Sequence, residues 1–226
     1  MNRHIGLTGG ITSYCSGSIK KCINLSDVNL YRKYESSILS EGNAISVGGI
    51  YSNDTSTTIV ESCINMGNIN FTDISNVNST RYVYVGGITG ITAVGLSNCY
   101  NCGNISAISD NVVFVGGITG RSYYIQIKNC YNTGNVICTS NNENSYFGAI
   151  TGKHDGQAEN IKNSYYLIKN GLSGIGNGSE EMVDIAKTEE EMKNANMIEL
   201  LNQDNEGMWK RDTNNINNGY PILSWQ

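Results

Sequence analysis

The sequence has one proline, two tryptophans, three phenylalanines and two histidines in 226 residues. A single proline excludes a collagen-like chain or a Pro-rich spacer. Charged residues are only 15% of the chain, so it is not a disordered polyelectrolyte, which needs high net charge and little apolar content. There is no basic excess either. Fifteen Lys and Arg stand against twenty Asp and Glu, and the sequence pI is near 5.0. Nucleic acid is therefore not an expected partner, since phosphate contact needs a basic patch. No apolar run approaches the roughly 18 residues of a membrane-spanning helix, and the first residues lack a basic stretch followed by an apolar one. What is abundant is glycine, 26 residues, and asparagine, 32.

The glycines recur in a pattern. Thr8-Gly9-Gly10-Ile11-Thr12 returns as Val47-Gly48-Gly49-Ile50, Val85-Gly86-Gly87-Ile88-Thr89-Gly90, Val115-Gly116-Gly117-Ile118-Thr119-Gly120 and Phe147-Gly148-Ala149-Ile150-Thr151-Gly152. The isoleucines are 39, 38, 30 and 32 residues apart. Each copy precedes a second motif. It reads Cys22-Ile23-Asn24, Cys63-Ile64-Asn65-Met66-Gly67-Asn68-Ile69, Cys99-Tyr100-Asn101-Cys102-Gly103-Asn104-Ile105 and Cys130-Tyr131-Asn132-Thr133-Gly134-Asn135-Val136. Ser164-Tyr165-Tyr166 fills the fifth slot. Two motifs in fixed order, five times over, define a repeat array.

Each unit is short segments rich in Val, Ile, Tyr and Thr, separated by Gly, Asn, Ser and Asp, with no 3.6-residue period before residue 168. The expected fold is all-β: a parallel β-solenoid of about five coils over residues 1–168, with roughly three strands per coil. Residues 169–226 are expected to form a linker, a short helix and a capping segment. Stacking puts Cys22, Cys63, Cys99 and Cys130 in one column, as small buried hydrophobes. Asn24, Asn65, Asn101 and Asn132 form another; Asn tolerates the left-handed conformation and bonds neighbouring backbone, which suits a corner. Gly67, Gly103 and Gly134 mark positive φ or close backbone approach. Residues 28–45, 70–82, 106–112 and 137–146 vary in length and read as polar loops. Gly174-x-Gly176-x-Gly178 lacks the spacing and lysine of phosphate loops and reads as a flexible connection. Thr188 and Glu191 form a capping box for a helix over 188–203. The aromatic tail after it is the expected cap for the open end of the solenoid.

These units resemble the GLUG-type repeats of bacterial surface proteins, and the resemblance covers residues 5–168. T-E-E-E-M-K at 188–193 and N-N-G-Y-P-I-L-S-W-Q at 217–226 look like the segment that closes such arrays. The resemblance implies an exported or cell-surface location and a structural or adhesive, non-enzymatic role. Host glycans or matrix proteins, and further domains of a parent chain, are the implied partners. It carries no catalytic residues. The departures are Ile50 without a following Thr-Gly, Ala149 for the second glycine and Ser164 for the cysteine. Related repeats occur beside immunoglobulin A metallopeptidase domains, so an accessory region of a larger peptidase is an alternative role.

Chemistry-bearing residues are few. Cys99-x-x-Cys102 is the single C-x-x-C, with no second pair at zinc-ribbon spacing. No H-E-x-x-H is present. No metal or cofactor is expected, and an odd count of seven cysteines fits free buried thiols. His4 and His154 read as solvated histidines in loop or end positions, with a Cys-His or Ser-His dyad as the alternative, since spatial neighbours need not be sequence neighbours. Asp27, Asp54, Asp73, Asp110 and Asp155 scatter over turns, which disfavours the alternative of a polysaccharide-cleaving β-helix, whose carboxylates must pair. Tyrosine remains, with 14 residues. Tyr100, Tyr131 and Tyr165 share a column and read as wall residues. Tyr31, Tyr34, Tyr82, Tyr123, Tyr124 and Tyr146 fall in or beside loops, where exposed rings contact a sugar or a protein. These six are the candidate ligand contacts.

Overall fold

A computed structural model describes residues 6–33, 44–55, 57–74, 82–169, 171–178 and 185–226. The chain winds as a parallel β-solenoid. Each complete coil contributes five short strands, one to each of five sheets, and every interior strand pairs with its equivalents in the coils before and after. The first sheet holds Gly6–Gly9, Ile45–Gly48, Tyr82–Gly86, Val112–Gly116 and Tyr146–Gly148. The second begins with Thr12–Cys15 and ends with Thr151–His154, and the third runs from Ser18–Lys20 to Ile161–Lys162. The fourth runs from Ile23–Asn24 to Tyr165–Leu167, and the fifth from Val28–Arg32 to Val136–Thr139. The G-G-I turns form one vertical file. Ile50 N–H donates to Ile88 O at 3.0 Å, Ile88 to Ile118 at 2.9 Å and Ile118 to Ile150 at 2.8 Å.

Five strands replace the three expected. The third and fourth sheets contain strands of two residues, too short to show a period. The fifth sheet occupies part of the segments read as loops. Its strands alternate a buried residue (Ile69, Phe71) with a more exposed one (Asn70, Thr72). The segments 34–43 and 75–81 lie outside the described residues.

Two cores run along the axis. Val47, Val83, Val85, Val113 and Val115 of the first sheet face Ile69, Phe71 and Ile105 of the fifth. The other holds the motif isoleucines and the cysteine column, and its cluster continues through the fourth sheet to the outward tyrosines and the C-terminal tail. In the cysteine column Cys63 N–H donates to Cys99 Sγ at 3.4 Å, Cys99 N–H to Cys130 Sγ at 3.4 Å, and Cys130 N–H to Ser164 Oγ at 3.2 Å. Ser164 therefore continues the ladder as an acceptor. All seven cysteines are free. Hydrogen bonding to Cys99 and burial push the Cys63 thiol far up, and burial does the same to Cys99, so neither supplies a thiolate.

The asparagines bond neighbouring backbone as expected, but they form a side-chain ladder and are not left-handed. Asn24 Nδ2 donates to Asn65 Oδ1 at 2.7 Å, Asn65 to Asn101 at 2.7 Å and Asn101 to Asn132 at 2.8 Å. Each amide also donates to a carbonyl two residues on. These bonds satisfy buried amides that would otherwise cost about 1–3 kcal/mol each. A left-handed residue stands just before each member of the cysteine column, Ser164 included: Lys21, Ser62, Asn98, Asn129 and Asn163, with φ between 47° and 58°.

The C-terminal part differs from a plain end cap. Residues 172–178 continue the array as a shortened sixth turn. Ala149 N–H donates to Ser173 O at 2.8 Å, Ile150 N–H to Gly174 O at 2.9 Å, and Ile175 is buried. The glycines read as a flexible connection are thus packed: a Cβ at Gly176 would lie 2.5 Å from Gly152 O. Ala186–Lys187 then adds a sixth strand to the fourth sheet. Thr188 and Glu191 form the expected capping box on helix α1, Glu189–Lys193. Asn194 interrupts the helix and caps α2, Ala195–Asn202, because its side chain accepts from Asn196 N–H.

The helices and tail lie along the flank of the rod. On the fourth sheet the asparagines point in toward the glycine turn, which leaves the tyrosines facing out. Tyr100 and Tyr131 stack at 4.9 Å and 5°, and Trp209 packs on both at 6.0 and 5.4 Å. Asn217 and the Pro221 carbonyl bond the Tyr131 hydroxyl, and Gln226 bonds that of Tyr100. Both rings are fully buried as a result.

Candidate ligand-binding face

The strand before each glycine pair alternates. Val83 and Val85 enter the core, and so do Val113 and Val115. Tyr82, Tyr84, Phe114 and Tyr146 therefore stand on the other face of the first sheet. In register, Tyr84, Phe114 and Tyr146 are consecutive. Phe114 stacks on Tyr82 and on Tyr146, each at 5.9 Å with interplanar angles of 23° and 19°. Tyr84 lies 5.7 Å from Phe114.

The second sheet brings cations beside these rings. Arg121 and Lys153 are register partners. The Arg121 guanidinium stands 4.4 Å from the Tyr123 ring centre and 5.8 Å from that of Phe114, and Lys153 Nζ is 5.4 Å from Phe114. Such cation–ring contacts contribute about 0.5–2 kcal/mol. Arg121 donates from Nε and Nη2 to Asp155 Oδ2 at 2.8 and 2.7 Å. Burial works against the Arg121 charge, but Asp155 and the neighbouring phenols outweigh it and hold the guanidinium above its ordinary value. Burial raises the Tyr84 phenol, so it stays a neutral hydroxyl.

Of the six tyrosines singled out from sequence, Tyr82, Tyr123 and Tyr146 converge here. Tyr82 is 47% exposed. Tyr31 is exposed on the outer face of the fifth sheet, apart from this cluster, and Tyr124 projects from the loop after Tyr123 with φ of 42°. Tyr34 lies outside the described residues. Sequence reasoning missed Tyr84, Phe114, Arg121 and Lys153. The signal was present: a ring between two core valines, and a cation one residue past the Thr-Gly of adjacent repeats.

A second constellation concerns His154, which is buried rather than solvated; His4 is outside the described residues. His154 lines up with Ser122, and Ser122 Oγ lies 2.7 Å from Nδ1. Nε2 faces the Gln157 carbonyl at 3.0 Å, so Nε2 carries the proton and Nδ1 accepts from the serine. That is the arrangement of an activated hydroxyl. Yet Ser122 is 0% and His154 5% exposed, so no substrate reaches the pair. It serves packing. Burial lowers the His154 value in the folded chain, despite Gln157 and Asp155. A depressed folded value means stability is complete above the unfolded value near 6.5 and is lost as pH falls toward the folded one. Thermal melts from pH 7.5 to 5 should show this decline, at most about 1.4 kcal/mol per pH unit. His154→Gln should flatten the part due to this group. Identical slopes in both proteins would exclude the assignment.

Among the described residues no three His, Cys, Asp or Glu side chains converge as a metal site. No described helix is long and apolar enough to cross a membrane. No family model matches the chain, and no curated protein or solved structure is significantly similar to it.

Proposed function

We propose that the chain is a non-catalytic repeat module of an exported bacterial surface protein, a rigid stalk that also makes adhesive contact with a host glycan or matrix protein. The observation that carries this reading is the gathering of Tyr82, Tyr123 and Tyr146 with Arg121 and Lys153 on one face of a stiff array. Aromatic rings with a polar tip beside cations are the groups that anchor binding interfaces. The serine–histidine pair of Ser122 and His154 is sealed, which favours binding over catalysis. A glycan array and a panel of purified matrix proteins, probed with the whole chain, test it. Tyr82→Ala combined with Tyr146→Ala should weaken any ligand so found at least about tenfold, as loss of an interface anchor does. If a folded sample binds nothing on either panel, adhesion fails and only the stalk remains.

Polysaccharide cleavage is the second reading. Asp73 and Asp110 both line a shallow pocket with Ser109, Ser140 and Asn141. Asp73 is engaged by Arg32 at 3.8 Å and by Asn111, and Asn141 holds Asp110. Release of reducing ends from acidic or neutral polysaccharides, abolished by Asp110→Asn, would favour this reading.

A further inference from the structure

The two glycine columns obey opposite stacking rules. In the second motif, a Cβ would run into the coil before: Gly67 would meet Ser26 O at 2.0 Å, Gly103 would meet Gly67 O at 1.9 Å, and Gly134 would meet Gly103 O at 2.0 Å. In the G-G-I turn, a Cβ on the second glycine would run into the coil after. Gly10, Gly49, Gly87 and Gly117 would each lie 2.0–2.2 Å from the carbonyl of the next residue in their file. Real Cβ atoms do not approach a carbonyl oxygen so closely, so an interior coil requires glycine in both columns.

The G-G-I column is broken once, by Ala149, and the second-motif column at both ends of the array, by Ser26 and by Ile168. At Ile168 the fifth coil leaves the stack, Ile168 N–H donating to Lys187 O, and it adds no strand to the fifth sheet. Ser26 holds the Gly67 position of the first coil, the coil with none before it among the described residues. Ala149 holds the Gly117 position of the fifth coil. There the sixth turn is one residue shorter: Ile118 N–H donates to Ile150 O two residues past Gly148, but Ile150 N–H donates to Gly174 O one residue past Ser173. The carbonyl that would strike the Ala149 methyl is missing.

We infer that Ser26 makes the first coil a terminating surface, one that bars any further coil of this repeat from stacking in register on the N-terminal edge. The edge otherwise invites such pairing. Ile64 N–H donates to Cys22 O and Met66 N–H to Asn24 O, both at 2.9 Å. The equivalent N–H groups of Ile23 and Leu25 point the other way and have no partner among the described residues. Unpaired parallel edges recruit other strands, and proteins place obstructions on them. A serine Cβ at the corner where stacking demands glycine is such an obstruction. It restricts the partners of this end to ones that do not repeat the coil's own geometry.

The test is a fusion. Residues 82–111 are duplicated directly ahead of Ile5 in the full chain, which repeats the Asn111–Val112 junction. The fusion is made with Ser26 and with Ser26→Gly, and the unfused Ser26→Gly chain reports folding of the variant itself. With glycine the added coil should stack. The Ile23 and Leu25 amides should exchange at least about tenfold more slowly, as paired strand amides do. The melting temperature should rise by a few degrees, about 2–4 °C for each kcal/mol gained. With serine both should equal the unfused chain. Two fusions that behave alike, both stacked or both unstacked, overturn the inference. So does an unfused chain that dimerises with its Ile23 and Leu25 amides already protected.

Discussion

Gly87→Ala is expected to abolish the cooperative fold or to destabilise it by more than about 4 kcal/mol, the range reached only by severe steric or polar disruption. The new methyl would stand 2.1 Å from Gly117 O and 2.5 Å from Asn101 Cγ. Neither neighbour is a free end that can swing aside. One is backbone, held by Gly117 N–H donating to Gly148 O at 3.2 Å, and the other is an amide in the asparagine ladder. Relief would require separating two coils and so breaking pairings in several sheets at once. The control is the natural exception: Ala149→Gly should change stability by no more than about 1 kcal/mol, the ordinary cost of added backbone freedom. Urea unfolding measures both. A Gly87→Ala protein as stable as the parent would mean that adjacent coils are not in contact at this turn.

Cys99→Asp is expected to be nearly as damaging. Cys99 is fully buried, flanked above and below by Cys130 and Cys63. A carboxylate there meets no cation among the described residues, and an uncompensated buried charge costs about 3–5 kcal/mol. Cys99→Ser should be far milder, about 1 kcal/mol, because Ser164 already occupies this column and accepts from Cys130 N–H at 3.2 Å. Soluble yield and denaturant midpoint distinguish the two. Equal stability of the aspartate variant and the parent would place the thiol outside the core.

The coil was legible because its punctuation is sequence-visible. Gly-Gly-Ile and Cys-x-Asn recur at nearly fixed separation, and each residue type does one job in every coil. The fifth sheet was not legible, because Val28–Arg32 and its partners lie in the stretch where lengths vary between repeats. The asparagine column was legible in its bonds to neighbouring backbone but not in its side-chain ladder. Asn suits both a left-handed corner and a side-chain ladder, and only the neighbouring coil decides which. The sixth turn was hidden because Ser173-Gly174-Ile175 lacks one residue of the motif. The tail's seat on the flank follows from the outward Tyr100 and Tyr131, whose direction the spacing of motifs does not reveal. The ring and cation face depends on register between repeats, so Tyr82 and Tyr146 were noticed one by one while Arg121 and Lys153 went unseen.

The central claim is that equivalent residues of successive repeats lie directly over one another. The most direct measurement is methyl–methyl nuclear Overhauser contacts in a sample labelled at isoleucine methyls. Ile50, Ile88, Ile118 and Ile150 should give a chain of sequential contacts, Ile50 to Ile88, Ile88 to Ile118 and Ile118 to Ile150, with none between Ile50 and Ile150. A folded protein in which Ile88 contacts neither Ile50 nor Ile118 would contradict the stacking.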